Sequence, residues 1–228
     1  MELKKYWNDR ISSKGRYTSI GQVSLPEVIN KYRKESLFRN INGALEKLDF
    51  SLSGKRVLDA GCGTGIYSEF YLQKGMKVFG IDFSEEAIAK IKEVNMPGHY
   101  QVSSLSKIPF DSSFFDLTHC FSVLYHIVDD SEWQKALKEL CRVTRKNGLL
   151  LLRIEWIDYE KQISFYLKYR SKSKYLKILE FYVEVLDIFD IKDFPIFNPL
   201  AKHFPKIYAK IGPFKVHPSQ KVLVLRKK

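Results

Sequence analysis

Nine consecutive residues, Val57-Leu58-Asp59-Ala60-Gly61-Cys62-Gly63-Thr64-Gly65, carry three glycines at alternate positions behind a short apolar run. Glycines so spaced let backbone N–H groups approach a ligand where any side chain would obstruct them. Lys77-Val78-Phe79-Gly80-Ile81 reads as a second buried strand, and it ends on Asp82, 17 residues after Gly65. In a doubly wound sheet, an acid at the tip of the second strand, about 20 residues past the glycine turn, accepts hydrogen bonds from ribose hydroxyls. Together the two pieces describe a nucleoside site. A dinucleotide turn would want a further glycine where this chain has Ile66.

Val-Leu-Asp-x-Gly-x-Gly-x-Gly with a correctly spaced Asp82 resembles motif I of the class I S-adenosylmethionine-dependent methyltransferases. The resemblance implies S-adenosylmethionine as cofactor, held by Asp59, Gly61, Cys62, Gly63, Gly65, Asp82 and Phe121, with Phe83 and Leu105 sandwiching the adenine. The family commonly has an Asp on the adenine amino group five residues before the proline of the third-strand loop. Here the proline is Pro109 and that position is Ser104, which accepts through its hydroxyl without charge. The stretch from Ser112 to Ile127 matches the family's fourth strand and the loop after it, which faces the cofactor's methyl group. An Asn- or Asp-Pro-Pro-aromatic loop would imply transfer to a planar amino group, and Pro-Cys would imply cytosine C5. Val123-Leu124-Tyr125-His126 is neither, and is similar to the Val-Leu-His-His loop of small-molecule methyltransferases.

Methyl transfer from a sulfonium is an in-line displacement, so positioning and water exclusion supply most of the catalysis. A hydroxyl or protonated-amine acceptor would also need a base. His126, whose ordinary pKa lies near neutrality, is the candidate, ahead of Tyr125, Glu155 and Asp158. His119, inside the strand, reads as structural. Tyr6, Tyr17, Tyr125 and Glu155 are the candidate substrate contacts.

The elements that must position these residues alternate strand and helix, as a parallel sheet requires. Pro26 opens a helical stretch whose Leu37, Ile41, Ala44, Leu45 and Leu48 pack on a sheet face. Ile66 to Lys74 forms the first crossover helix, Ser84 caps the next, and Tyr100-Gln101-Val102 is the third strand. Ser131-Glu132-Trp133-Gln134 has the form of a capping box, and Gly148 to Arg153 is a fifth strand buried on both faces. Beyond it, aromatic residues mixed with lysines predict an inserted helical cap, with Ile178, Phe181, Tyr182, Val185 and Leu186 on one amphipathic helix. Residues 212–216 and 221–225 predict a closing antiparallel hairpin. The expected class is α/β, a doubly wound, seven-stranded, mostly parallel sheet. Residues 1–49 form an arm and helices, 50–155 and 211–228 the core, and 156–210 the cap, within one domain.

The chain's 228 residues suffice for one such domain. Of a net charge of +12, residues 1–40 hold 9 Lys+Arg against 4 Asp+Glu and residues 151–228 hold 16 against 8, while 41–150 are near neutral. A basic arm and cap favour a small anionic acceptor, and an RNA gripped through its phosphates is the alternative. A nucleoside-binding module without turnover is a third reading. Cys62, Cys120 and Cys141 lack metal or disulfide spacing. No apolar run approaches bilayer length and no leader pattern opens the chain, so a cytoplasmic protein is expected.

Overall fold

The computed structural model describes residues 2–21, 26–190, 192–193, 214–215 and 220–228. Its centre is a seven-stranded sheet in the order β3-β2-β1-β4-β5-β11-β8. The strands are β1 (Arg56–Ala60), β2 (Lys77–Asp82), β3 (His99–Val102), β4 (Phe115–Phe121), β5 (Thr144–Glu155), β8 (Val183–Asp190) and β11 (Gln220–Lys227). β1 to β5 pair in parallel, while β11 runs antiparallel to both β5 and β8. The order reverses at β1, which lies between β2 and β4, and a ligand crevice opens where two such strands diverge.

Side-chain alternation in the strands sorts two cores. Leu58, Leu150, Leu152, Leu223 and Leu225 pack against α6 (Asp130–Val143) and α7 (Lys172–Leu179). Val57, Leu117, Leu149, Leu151, Val222 and Val224 pack on the other face against α3 (Glu27–Lys47) and α4 (Ile66–Gln73). The period of two then puts Asp59, His119, Phe121, Arg153, Glu155 and Gln220 on the α3 and α4 side as well.

The remaining elements are α1 (Glu2–Ser13), α2 (Arg16–Ser19), α5 (Glu85–Glu93), a hairpin of β6 (Lys161–Ser164) and β7 (Leu167–Tyr169), and a small ribbon of β9 (Lys192–Asp193) with β10 (Phe214–Lys215). Ser84 caps α5 as expected, its hydroxyl accepting from Ala87 N at 3.1 Å. The cap of α6 is Asp129, which accepts from Glu132 N at 2.8 Å, and Ser131 falls inside the first turn.

Two expectations are corrected. The stretch read as one amphipathic helix divides: α7 ends at Leu179, and Val183 to Asp190 forms edge strand β8 of the main sheet. Helical spacing bridged two elements there, and an extended segment instead satisfies the open backbone edge of β11. The closing strand β11 therefore pairs with β8. Phe214 and Lys215 pair with Asp193 and Lys192, and residues 212, 213 and 216 of the expected hairpin lie outside the described residues.

Candidate functional site

A cavity of 310 Å3 lies at the switch point, over the C-terminal ends of β1, β2, β4 and β5. One end is built by the glycine turn. Gly61 and Cys62 donate backbone N–H groups to Ile81 O at 2.8 and 2.9 Å, which fixes the turn on the end of β2. Gly61, Gly63 and Gly65 have φ of +80°, +51° and +77°, a region that L side chains rarely occupy. A Cβ at Gly61 would overlap the Val123 side chain, and one at Gly63 would lie 2.7 Å from Ile20 Cγ2.

Asp82 closes this end. Its carboxylate accepts from Gly63 N and Ser84 N, both at 2.9 Å. Burial raises its pKa to about 6, against the lowering effect of those two donors. Phe83 and Leu105 line the same end.

The other end is reached along β4 and β5. Phe121, Tyr125, Arg153 and Glu155 line it, joined by Arg33, Lys34 and Leu37 of α3, Tyr67 of α4, Leu167 and Tyr169 of the hairpin, and Gln220 of β11. Lys34 is 6% exposed, and its Nζ donates to the Tyr67 hydroxyl at 3.1 Å. Arg153 donates to Gln220 Oε1, and Gln220 Nε2 donates to Glu155 Oε1.

The arm roofs the cavity. Arg16 Nε donates to Thr64 O at 3.3 Å, Thr64 Oγ1 donates back to Arg16 O at 3.1 Å, and Arg16 pairs with Glu69 at 2.9 Å. Ser84 Oγ donates to Asn8 Oδ1 at 2.6 Å, which seats α1 on the start of α5. Trp7 packs edge-on against His126 at 4.7 Å, and Tyr6 stacks on Tyr166 of the hairpin at 4.4 Å. Arm and hairpin therefore meet through an aromatic contact beside the cavity.

Of the residues singled out in the sequence, Gly61, Cys62, Gly63, Asp82, Phe83, Leu105, Phe121, Tyr125, His126 and Glu155 line one cavity. The others are elsewhere. Asp59 supports the turn from beneath, accepting from Ser68 Oγ at 2.7 Å and meeting His119 Nδ1 at 3.3 Å, and Gly65 caps α4. Ser104 is exposed and bonds Ser106 Oγ at 2.8 Å. Tyr6 belongs to the arm-hairpin contact, and Tyr17 N donates to Glu27 Oε1 at 2.6 Å. His119 is buried and its pKa is lowered, chiefly by burial, which fits a structural residue.

His126 is neutral at pH 7. Its Nδ1 lies 2.7 Å from Tyr166 O, so Nδ1 carries the proton and donates. Burial lowers its pKa to about 4, partly opposed by the Tyr166 carbonyl.

Arg33, Lys34, Tyr67, Arg153 and Gln220 were not singled out in the sequence. Two signals point to Lys34 and Arg153. Asn30 and Lys34 continue backwards the stripe of Leu37, Ile41 and Leu45 on α3, and a buried polar pair on an apolar stripe needs a polar partner. Arg153 is a charge that follows the apolar run of residues 149–152 near the C-terminal tip of a parallel strand, which is the ligand end of such a sheet.

Residues 58–152 match the methyltransferase domain family. Malonyl-[acyl-carrier protein] O-methyltransferase of Buchnera aphidicola is 32% identical over 124 residues, 53% of this chain and 48% of that protein. Ubiquinone biosynthesis O-methyltransferase of Coxiella burnetii is 32% identical over 106 residues, 44% of this chain and 43% of that protein. The chain thus spans about half the length of the curated relatives it matches. Among solved structures, magnesium protoporphyrin IX methyltransferase of Synechocystis PCC 6803 superposes with a TM-score of 0.66 at 18% identity, covering 100% of this chain and 98% of that one. An S-adenosylmethionine-dependent methyltransferase of Mesorhizobium loti gives 0.59 at 16% identity, covering 81% and 96%. Residues 58–152 thus match a methyltransferase domain, and the sheet order and glycine turn give the chain the fold of these solved methyltransferases.

Proposed function

We propose that the chain is an O-methyltransferase that uses S-adenosylmethionine and acts on a small anionic acceptor. The observation that carries this reading is the continuity of the cavity from Gly61, Gly63 and Asp82 at one end to Arg153, Lys34 and Arg33 at the other. The first end fits the nucleoside of the cofactor. Side-chain-free glycines give its backbone access, Asp82 offers acceptor oxygens for ribose hydroxyls, and Phe83 and Leu105 offer apolar walls for a base. The cofactor supplies a methyl group on a sulfonium, which leaves as a neutral thioether. The chain's own residues orient the acceptor, while the arm and hairpin exclude water from it. The second end supplies the charge that favours an anion. The two relatives named above are O-methyltransferases, which supports oxygen as the accepting atom.

The RNA alternative loses its footing in the charge distribution. Lys4 pairs with Glu85 and Arg16 with Glu69, Lys172 pairs with Asp158, and Lys168, Arg170 and Lys174 converge on Asp130. These cations of the arm and hairpin region are engaged within the chain. Among the described residues, no helix is long and apolar enough to cross a membrane and no cluster fit to hold a metal occurs. Isothermal titration with S-adenosylmethionine, followed by incubation with labelled methyl donor and the small molecules of a bacterial extract, tests the proposal. Cofactor binding with a labelled product is expected, and binding without any labelled product refutes turnover.

A further inference from the structure

The acceptor end of the cavity holds a charge arrangement that fits one kind of acceptor oxygen. Arg153 is 9% exposed and faces Phe121 on β4 and Val222 on β11. Its Nη2 is held by Gln220, and it also hydrogen-bonds the Tyr67 hydroxyl, to which Lys34 donates. Its Nε is buried and has no hydrogen-bond partner among the described residues. A buried guanidinium N–H left without an acceptor is costly, and a ligand oxygen in the cavity would remove that cost. Arg33, Lys34 and Arg153 outnumber Glu155 at this end, so the acceptor they favour is an anion.

The same end lacks a strong base. His126 has Nδ1 committed to the Tyr166 carbonyl, and burial, lowering its pKa to about 4, leaves Nε2 only a weak base. Tyr67 and Tyr125 are held protonated by burial. One oxygen of Glu155 accepts from Gln220 Nε2. A hydroxyl acceptor would have to lose its proton to one of these groups, whereas an acceptor already ionised in water has none to lose.

We infer that the methyl acceptor is a carboxylate, that Arg153 with Lys34 holds it, and that the product is its methyl ester. The inference rests on the methyl-transfer reading and narrows it. One carboxylate oxygen forms the new O–CH3 bond while the S–CH3 bond breaks, and the bonding pair stays on sulfur. No proton is released and no further reactant is consumed. Gln220 is a positioning residue, since one amide orients both Arg153 and Glu155.

The test uses the full chain, labelled methyl donor and the small-molecule fraction of a bacterial extract. Methyl esters release methanol in mild alkali, and methyl ethers do not. The expected result is a product whose label becomes volatile methanol in mild alkali, formed without acidifying a weakly buffered solution. A base-stable label, or one proton released per methyl transferred, overturns the carboxylate assignment and leaves methyl transfer standing. No labelled product at all overturns both. Arg153→Met should lower kcat/KM by about a hundredfold, as truncation of a buried charge partner does, with cofactor affinity unchanged in titration. Gln220→Leu, a milder change, should raise KM about tenfold through lost orientation of the same guanidinium. Without any methyl donor, saturation-transfer NMR should show benzoate binding more tightly than benzyl alcohol to the wild type, with the preference lost in Arg153→Met. Equal binding of the two probes by the wild type, or undiminished ester formation by Arg153→Met, overturns the role given to Arg153.

Discussion

Asp82 gives the proposed cofactor site a quantitative handle, because its protonation should gate cofactor binding. The carboxylate is 8% exposed, and burial raises its pKa to about 6. The proposed hydrogen bonds from ribose hydroxyls need it ionised. At pH 5 only about a tenth of the molecules meet that requirement, so the apparent Kd for S-adenosylmethionine should be about tenfold weaker than at pH 7. Asp82→Asn keeps the shape and removes the charge. Hydrogen bonds to a charged acceptor are worth about 1.5–3 kcal/mol, so this variant should bind about 10- to 150-fold more weakly at pH 7 and show no pH dependence between 5 and 7. Stability runs the other way. A carboxyl whose folded pKa exceeds its unfolded value stabilises the fold at low pH and loses that contribution as pH rises through about 6, here about 3 kcal/mol in total. The variant escapes that loss but turns its amide N–H on Gly63 N or Ser84 N, so its urea midpoint is measured beside its Kd to separate binding from unfolding. Titration calorimetry at pH 5, 6 and 7 on both proteins decides the matter. A wild-type Kd that is flat over this range, or an Asn variant that binds like the wild type, refutes the assignment of Asp82 to the ribose.

Three further outcomes follow from other parts of the structure. Gly61→Ala meets the Val123 side chain at a φ of +80°, so left-handed strain and overpacking together should cost about 2–4 kcal/mol in urea unfolding and abolish cofactor binding in titration. Asp130→Ala leaves Arg170, whose side chain is 0% exposed, without the carboxylate that now receives its Nε at 2.8 Å. Because Asp130 itself is 41% exposed and water screens it, the expected loss is about 2 kcal/mol rather than the full cost of a buried pair, read from the urea midpoint. His126, held at about 4 against an ordinary 6.5, costs stability as pH falls through 6.5 toward 4, by up to about 3 kcal/mol. Asp82 offsets most of that loss over the same range, so the wild type should look nearly insensitive where His126→Asn gains stability relative to it on going from pH 7 to 4.5. Parallel curves for the two proteins would refute the neutral histidine.

The parts of the fold visible in the sequence are those where one local pattern has one outcome. β1 and β2 are short apolar runs ended by a glycine turn and an acid, and the crevice follows from their parallel pairing. The second half of the chain misleads because its decisive partner is remote. Val185 and Leu186 fit a helical stripe with Ile178 and Phe181, yet the edge of β11, some 40 residues away, takes them as a strand. Charge misleads for a similar reason. The surplus of lysine and arginine after residue 150 reads as a phosphate-binding face until Lys168, Arg170 and Lys174 are seen to share Asp130.

The site divides along the same line. Its cofactor end is written in consecutive residues, because a turn and a strand tip are local objects. Its acceptor end is assembled from α3, α4, β5, β7 and β11, and each contributes a side chain that looks unremarkable in its own segment. Arg153 is intelligible only once β5 is known to carry it on the side of α3 and α4, where Lys34 and Tyr67 already form a buried polar contact. That placement bears on evolution of specificity as well as on mechanism. The turn proposed to grip the nucleoside tolerates little change, since Gly61 and Gly63 have no room for a Cβ. The residues proposed to meet the acceptor come from separate elements, so exchanging Arg153, Lys34 or Gln220 should redirect the choice of acceptor while leaving the proposed cofactor end intact.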